Sequence, residues 1–232
     1  KSSRIDILDV APYYTYISNS ETSIVKTTKL NTEYRIKNAR ELDKFSKIDQ
    51  MYVADGHHRL YASSMLKNKA SVLSCFLGFS QVKISPIHRM IKNMDATSFE
   101  KAKQFMGTFL EVYDDEELKK GFVRISYQRD SFLVKLKDTE NDLFWNNDVY
   151  RMNTQIISTA FRILNFSNVE YIGDDDLKFV KKNLTNSDVL IELYPMDADE
   201  FMKLADEVCI LPPKSTFFIP KFPSFLVFKK YK

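Results

Sequence analysis

The chain has 232 residues, 44% hydrophobic and 28% charged, a globular balance that excludes a disordered or collagen-like polypeptide. Thirty-four basic residues against 31 acidic ones leave +3 with no basic arm or stripe, so no nucleic acid partner is expected. No stretch nears the ~18 to 20 apolar residues of a membrane helix, the opening Lys1-Ser2-Ser3-Arg4-Ile5-Asp6 lacks a signal-peptide core, and Cys75 and Cys209 lack the paired spacing of a zinc or redox motif; the expectation is a cytoplasmic protein, apart from any membrane, with two buried thiols.

In chain order, the runs Tyr13–Ile17 and Ser23–Thr28 are β-type and flank the turn-rich Ser18-Asn19-Ser20, which predicts a hairpin between them. Asn38 is placed to cap a short helix through Phe45, Met51–Asp55 reads as a buried strand stopped at Gly56, and His57–Lys67 follows at helical period. Val72–Phe79 and Val82–Met90 are strand-like around a bend at Phe79-Ser80-Gln81. Asp95 or Thr97 caps a helix with Phe99, Ala102, Phe105, Met106 and Phe109 inward, and Asp114–Glu117 opens another short helix with its acidic residues at the positive end. Val123–Tyr127 and Phe132–Leu136 form a hairpin, and Val149–Leu164 carries the longest helical pattern, with Asp148 at its cap. Strand, helix, strand and helix are then expected over Val169–Ile172, Asp174–Asn183, Val189–Tyr194 and Asp197–Ala205, before final strands at Val208–Leu211 and Phe225–Phe228. The elements make an α+β chain, with a soft boundary near Asp95 dividing residues 1–95 from an α+β portion at 96–232.

The chemistry concentrates in Ala54-Asp55-Gly56-His57-His58-Arg59-Leu60, at a strand-to-helix turn. A helix start offers unpaired N–H groups and the positive dipole end to an anion, Gly56 lets a ligand approach the backbone, and Arg59 can reach back over the same anion. His57 and His58 point about 100° apart, so one faces the ligand while the other packs or braces. Asp55 beside a polyphosphate calls for a bridging Mg²⁺, or for a role accepting the proton of an attacking hydroxyl. An isolated Asp-Gly would read as a helix cap and a turn; in Asp55-Gly56-His57-His58-Arg59, four consecutive residues suited to an anion favour the site. A zinc site joining His57, His58 and His88 is disfavoured, since neighbouring histidines on one helix diverge.

Tyr52 through Ala62, with Asp55-Gly56-His57-His58-Arg59 at its centre, resembles the signature of the ParB/sulfiredoxin-like superfamily, whose members bind nucleotide or polyphosphate at this turn. His57 stands where sulfiredoxins carry their cysteine, so their chemistry is not implied. Within that superfamily, the chain is similar to a long-uncharacterised bacterial family linked to pyrophosphate-dependent phosphorylation of free serine: Ser85-Pro86-Ile87-His88-Arg89 matches its Pro-x-His-Arg segment, and Leu211 through Lys221 resembles its Pro-Pro-Lys-Ser-Thr tail. The resemblance implies a mixed sheet with helices, a C-terminal α/β portion, Mg²⁺ as cofactor, L-serine with pyrophosphate (or, less favoured, ADP or ATP) as partners, O-phospho-L-serine as product and a link to cysteine biosynthesis. It assigns Asp55, His57 and His58 to catalysis, Gly56, His57, His58, Arg59, Lys214, Ser215 and Thr216 to phosphate binding, Asp55 also to the metal, and His88 and Arg89 to support. The family carries a further amino-terminal half that is not found before Ile5; either that half is absent, or this chain is the carboxy-terminal part of a longer polypeptide. A nucleotide-responsive ParB-like binding module without kinase activity is the alternative.

Three other features have plainer readings. Pro212-Pro213 forces Lys214-Ser215-Thr216 into a loop, with a cation and two hydroxyls available together. Asp174-Asp175-Asp176 begins a helix and complements its dipole. Trp145 falls among inward-facing positions and is expected in the core.

Overall fold

The computed structural model describes residues 5–6, 15–16, 23–27, 32–36, 48, 50–65, 74–114, 117–139, 142–219 and 221. Contacts divide the chain into two units, Lys1–Lys83 with Phe218–Lys232, and Ile84–Phe217. The second unit is thus inserted within the first. Asp95, where the motif distribution suggests a boundary, lies inside the second unit.

In the first unit, β1 (Ile5–Asp6) pairs antiparallel with β2 (Thr15–Tyr16), and β3 (Ser23–Thr27) pairs with β4 (Thr32–Ile36). The two runs expected to pair with each other therefore take other partners. The connection from β3 to β4 spans only 28–31, an ordinary hairpin length, which gives that pairing the lower loop cost. Met51–Asp55 is not a strand; its residues alternate between exposed and half-buried on the way to α1 (His57–Ser64). The helix expected after Asn38 and the strand at Phe225–Phe228 lie outside the described residues.

Phe79–Gln81 is a single 3₁₀ turn, as the bend suggests, and the following apolar run is cut into β5 (Lys83–Ser85) and β6 (Ile87–Ile91). Pro86, which has no N–H to give to a ladder, sits at the cut. Asp95 caps α2 (Ala96–Phe109) by accepting the Ser98 N–H at 2.9 Å. Its buried face is Phe99, Ala102 and Met106, whereas Phe105 is exposed at the edge of that stripe. Next come β7 (Glu111–Asp114), β8 (Phe122–Tyr127) and β9 (Asp130–Lys135). Asp114 ends a strand instead of opening a helix, and Glu117–Lys119 carries no helix.

The long helical pattern splits into α3 (Asp148–Arg151) and a π-helical stretch, Met152–Ala160, in which Phe161 N–H reaches back to Ile156. Asn147, not Asp148, caps it, accepting the N–H groups of Val149 and Tyr150. Asp148 is thereby free to accept Gly121 N–H at 2.8 Å and to pair with Arg151 at 2.6 Å. After a 3₁₀ turn at Phe166–Asn168, the chain continues through β10 (Val169–Gly173), α4 (Leu177–Lys182), β11 (Val189–Leu193), α5 (Ala198–Asp206) and β12 (Phe217–Ile219). Val208–Leu211 is not a strand: Val208 has φ 58°, a left-handed conformation unsuited to a ladder, and is highly exposed.

One sheet organises the second unit, in the order β10-β6-β11-β8-β9-β7. All its neighbours are antiparallel, so the portion is α+β, as the elements of 96–232 suggest, and the α/β character that the resemblance implies for the C-terminal portion is corrected. The reason is specific. β10, α4 and β11 do form a β-α-β unit, but β6 fills the gap between the two strands, opposing His88 to Ile172 and Arg89 to Ile191. One face of the sheet, with Ile91, Val123, Ile125, Val134, Val189 and Ile191, shares a core with α2 and the π-helical residues Met152, Ile156 and Ile157. Trp145 lies outside this core, half-exposed against Phe144 and Tyr150, and both cysteines are half-buried free thiols; burial pushes Cys75 up to about 12. No helix among the described residues is long and apolar enough to cross a membrane.

Phe99 is fully buried and stacks on Tyr127 with ring centroids 4.2 Å apart. Phe99→Ala is expected to lower unfolding free energy by about 3–5 kcal/mol in a urea titration; a loss below about 1 kcal/mol would place this ring outside the core.

Candidate functional site

Gly56 takes φ 88° immediately before α1, and its carbonyl accepts the Leu60 N–H at 2.8 Å, the first bond of the helix. A side chain here would be strained by that conformation, and its Cβ would stand 3.2 Å from Arg59 Nη2. Asp55 is not the cap residue. Its Oδ1 accepts Gly56 N–H at 2.8 Å, while Oδ2 lies 3.7 Å from both Arg59 Nη2 and Lys221 Nζ. His57, His58 and Arg59 are exposed, and α1 buries none of its residues. The turn thus gathers one carboxylate, two cations and two open imidazoles at the positive end of a helix. Arg59 does reach back over the turn, as its place in the first helical turn predicts, and lies against Asp55.

His88 and Arg89 are neighbours on β6 and face opposite ways, and both are buried. His88 Nδ1 accepts Leu193 N–H at 3.1 Å, which leaves Nε2 to carry the proton; Nε2 lies 3.6 Å from Asp174 Oδ1, and Ser85 Oγ donates to the other oxygen of Asp174 at 3.4 Å. Asp174, three residues before the start of α4, thus lies beside a histidine of the sheet. Burial lowers the His88 pKa, against the opposing pull of the Glu192 and Asp174 carboxylates. Glu192, buried on the adjacent strand, is paired with Lys181 at 2.7 Å. Arg89 donates to the Ile87 carbonyl at 2.5 Å and to the Lys214 carbonyl at 3.0 Å.

The loop carrying Lys214, Ser215 and Thr216 presents its groups unequally. Lys214 is exposed and has φ 59°, Thr216 is half-buried, and the Ser215 hydroxyl turns inward to donate to the Pro212 carbonyl at 2.6 Å. The pair of available hydroxyls expected from sequence is thus reduced to one. Beside Ser215 a cleft lined by Lys120, Asn147, Asp148 and Glu200 has room for about 10 Å³, the space of one water. Lys120 fills the gap with a 2.6 Å pair to Glu200.

The predicted residues accordingly form two groups. Asp55, Gly56 and Arg59 meet in the first unit; Arg89, Lys214 and Ser215 meet in the second, where His88 joins Asp174 and Glu192 instead. Sequence reasoning missed Lys221 as the second cation on Asp55, although it closes the tail motif that begins at Leu211. It also missed Glu192 and Asp174 around His88, for which no local signal exists. No group of three His, Cys, Asp or Glu side chains able to hold a metal occurs among the described residues. Mg²⁺ needs less from a protein, one or two carboxylates completed by phosphate oxygens and water, and the exposed Asp55 carboxylate is of the type that demand calls for.

A family model described as "Protein of unknown function (DUF1015)" matches residues 11–161, more than half of the chain. No curated protein matches. Among solved structures, SbnI with C-terminal truncation from Staphylococcus aureus aligns at 15% identity and TM-score 0.50 over 84% of this chain and 69% of its own. A free serine kinase mutant in complex with AMP aligns at 19% identity and TM-score 0.45 over 76% of this chain and 70% of that one. A conserved hypothetical protein from Pyrococcus furiosus aligns at 20% identity and TM-score 0.43, covering 76% and 74%. The likeness to SbnI is one of fold.

Because the folded state holds His88 below its ordinary pKa, the unfolded chain binds the proton first as pH falls. The stability contributed by neutral His88 is present above the unfolded value of about 6.5 and is lost progressively below it. Urea titrations between pH 7.5 and 5.5 should show the wild type weakening with acid and His88→Gln responding less; parallel slopes would remove His88 as the cause.

Proposed function

The chain belongs to the family described as "Protein of unknown function (DUF1015)", and within it we propose a phosphotransferase that phosphorylates free L-serine to O-phospho-L-serine, with pyrophosphate ahead of ADP or ATP as donor. One observation carries the reading: the Asp55–Arg59 turn, where Gly56 in a left-handed conformation opens α1 beside exposed His57, His58 and Arg59. The first N–H groups of the helix and the Arg59 guanidinium suit phosphate oxygens. The motif resemblance at this turn and along the tail supports serine and pyrophosphate as the reactants.

In this scheme the serine hydroxyl oxygen attacks a pyrophosphate phosphorus, a P–O bond to serine forms, and the bridging P–O bond breaks to release phosphate. Asp55 accepts the hydroxyl proton, or it binds Mg²⁺ and the proton leaves to solvent. His57 or His58 stabilises charge on the transferring group. Lys221 and Arg59, the two cations beside Asp55, would turn to the donor oxygens. Mg²⁺, when bound, supplies neutralisation of the phosphate charge. Catalysis is then positioning and electrostatics, with no covalent work asked of the protein.

The chain is to be incubated with L-serine, Mg²⁺ and, separately, pyrophosphate, ADP and ATP, with O-phosphoserine followed by ³¹P NMR. Product with pyrophosphate is the expected result; product with a nucleotide alone would keep the reaction and replace the donor. No product from any donor, with the protein folded, would favour the binding module. Asp55→Asn is expected to lower kcat by about 10²-fold or more. Retained Mg²⁺ affinity in that variant would assign Asp55 as base, and lost affinity would assign it to the metal.

A further inference from the structure

Among the described residues of the second unit, one buried positive charge has no counter-charge paired with it. Arg89 is wholly buried, and its guanidinium donates only to neutral carbonyls, Ile87 at 2.5 Å, Lys214 at 3.0 Å and His88 at 3.5 Å. Its planar group lies 4.6 Å from the ring centroid of Tyr171, and Nε makes no hydrogen bond. Among the described residues no carboxylate pairs with it. Burial lowers its pKa to about 10, which leaves it charged at neutral pH.

An unpaired buried cation is costly, and an apolar side chain of similar length would fill the space more cheaply. What the arginine adds is a bond to Lys214, 125 residues away in sequence, at a point where the backbone is strained. Lys214 has φ 59°, a region that a side chain with a Cβ enters only when its surroundings hold it there. The Ser215 to Pro212 bond tightens the same loop from its other side. The Lys214 side chain, by contrast, is exposed.

We infer that Arg89 is a positioning residue: its guanidinium holds the Lys214 carbonyl, fixes Lys214 in the left-handed conformation, and so sets the direction in which the Lys214 ammonium meets an anion. This rests on the reading that the loop receives phosphate. A lysine at position 89 keeps the charge but cannot reproduce the planar fork that bonds two carbonyls at once.

The experiment titrates the chain with pyrophosphate by calorimetry for wild type, Arg89→Lys, Lys214→Gly and the double variant. Arg89→Lys is expected to weaken pyrophosphate binding about tenfold or more and to raise the KM for pyrophosphate more than it lowers kcat. On the Lys214→Gly background, the same change should alter affinity by less than about twofold. Equal losses on both backgrounds, or no loss from Arg89→Lys alone, would overturn the inference. If Lys214→Gly binds no pyrophosphate, amide hydrogen exchange in Arg89→Lys decides: faster exchange confined to residues 213–216 is expected, and unchanged or uniformly faster exchange overturns it. If Arg89→Lys fails to fold, Tyr171→Leu, which removes the ring beside the guanidinium, should weaken pyrophosphate binding only while Lys214 is present, and an equal effect without Lys214 overturns the inference. A wild-type chain that binds pyrophosphate but makes no O-phosphoserine would sink the kinase reading and leave the role of Arg89 standing. A wild-type chain that binds no pyrophosphate overturns the inference.

Discussion

β6 lies between β10 and β11, hydrogen-bonded on both edges, and every residue in it is buried. A strand in that position is ordinarily a run of apolar side chains, because nothing polar on it can reach water. His88 and Arg89 break the run, and each must find partners inside the protein. Opposite directions along the strand send them to different solutions: the imidazole to a backbone N–H of β11 and the carboxylate of Asp174, the guanidinium to carbonyls of its own strand and of the loop at Lys214. Both side chains thus reach partners well away from β6 in sequence, Asp174 and Leu193 for His88 and Lys214 for Arg89.

The first unit presents the contrary case. Asp55, Arg59 and Lys221 are exposed, and their separations of 3.7 Å fall outside hydrogen-bond distance. Ion pairs of this kind contribute little to stability and exchange readily for other partners. The two polar residues of β6 are thus tied to fixed partners inside the second unit, whereas the charged groups of the Asp55 turn in the first unit stand in solvent.

Local signals carried much of this arrangement. The cap at Asp95, the hairpin of β8 and β9, the strands β10 and β11 and the helix after Asp197 are all readable from periodicity and turn residues, since each is decided by side chains a few positions apart. The turn from Asp55 to Arg59 is legible for the same reason. The insertion of β6 between β10 and β11 is decided at long range and could not be read from runs that look alike, whereas β3 takes its near neighbour β4, a run the sequence did not mark as a strand. Asn147 and Asp148 are adjacent and equally able to cap; only the distant Gly121 N–H and Arg151 distinguish them. The apolar run at Val208–Leu211 suggests a strand by composition, yet a left-handed Val208 removes it from any ladder. The pairing of Lys221 with Asp55, and the placing of Glu192 and Asp174 beside His88, were not legible because those partners lie far away in sequence.

The insertion of Ile84–Phe217 within the first unit bears on the order in which the protein comes into being on the ribosome. The inserted unit is contiguous, so it emerges whole and can complete its sheet while the first unit still lacks its last segment. Asp55 is synthesised early, but Lys221 leaves the exit tunnel only after the entire insertion. The nascent chain therefore carries an Asp55 turn without its second cation while residues 84–217 are being made, and the charge balance of that turn is established only after them.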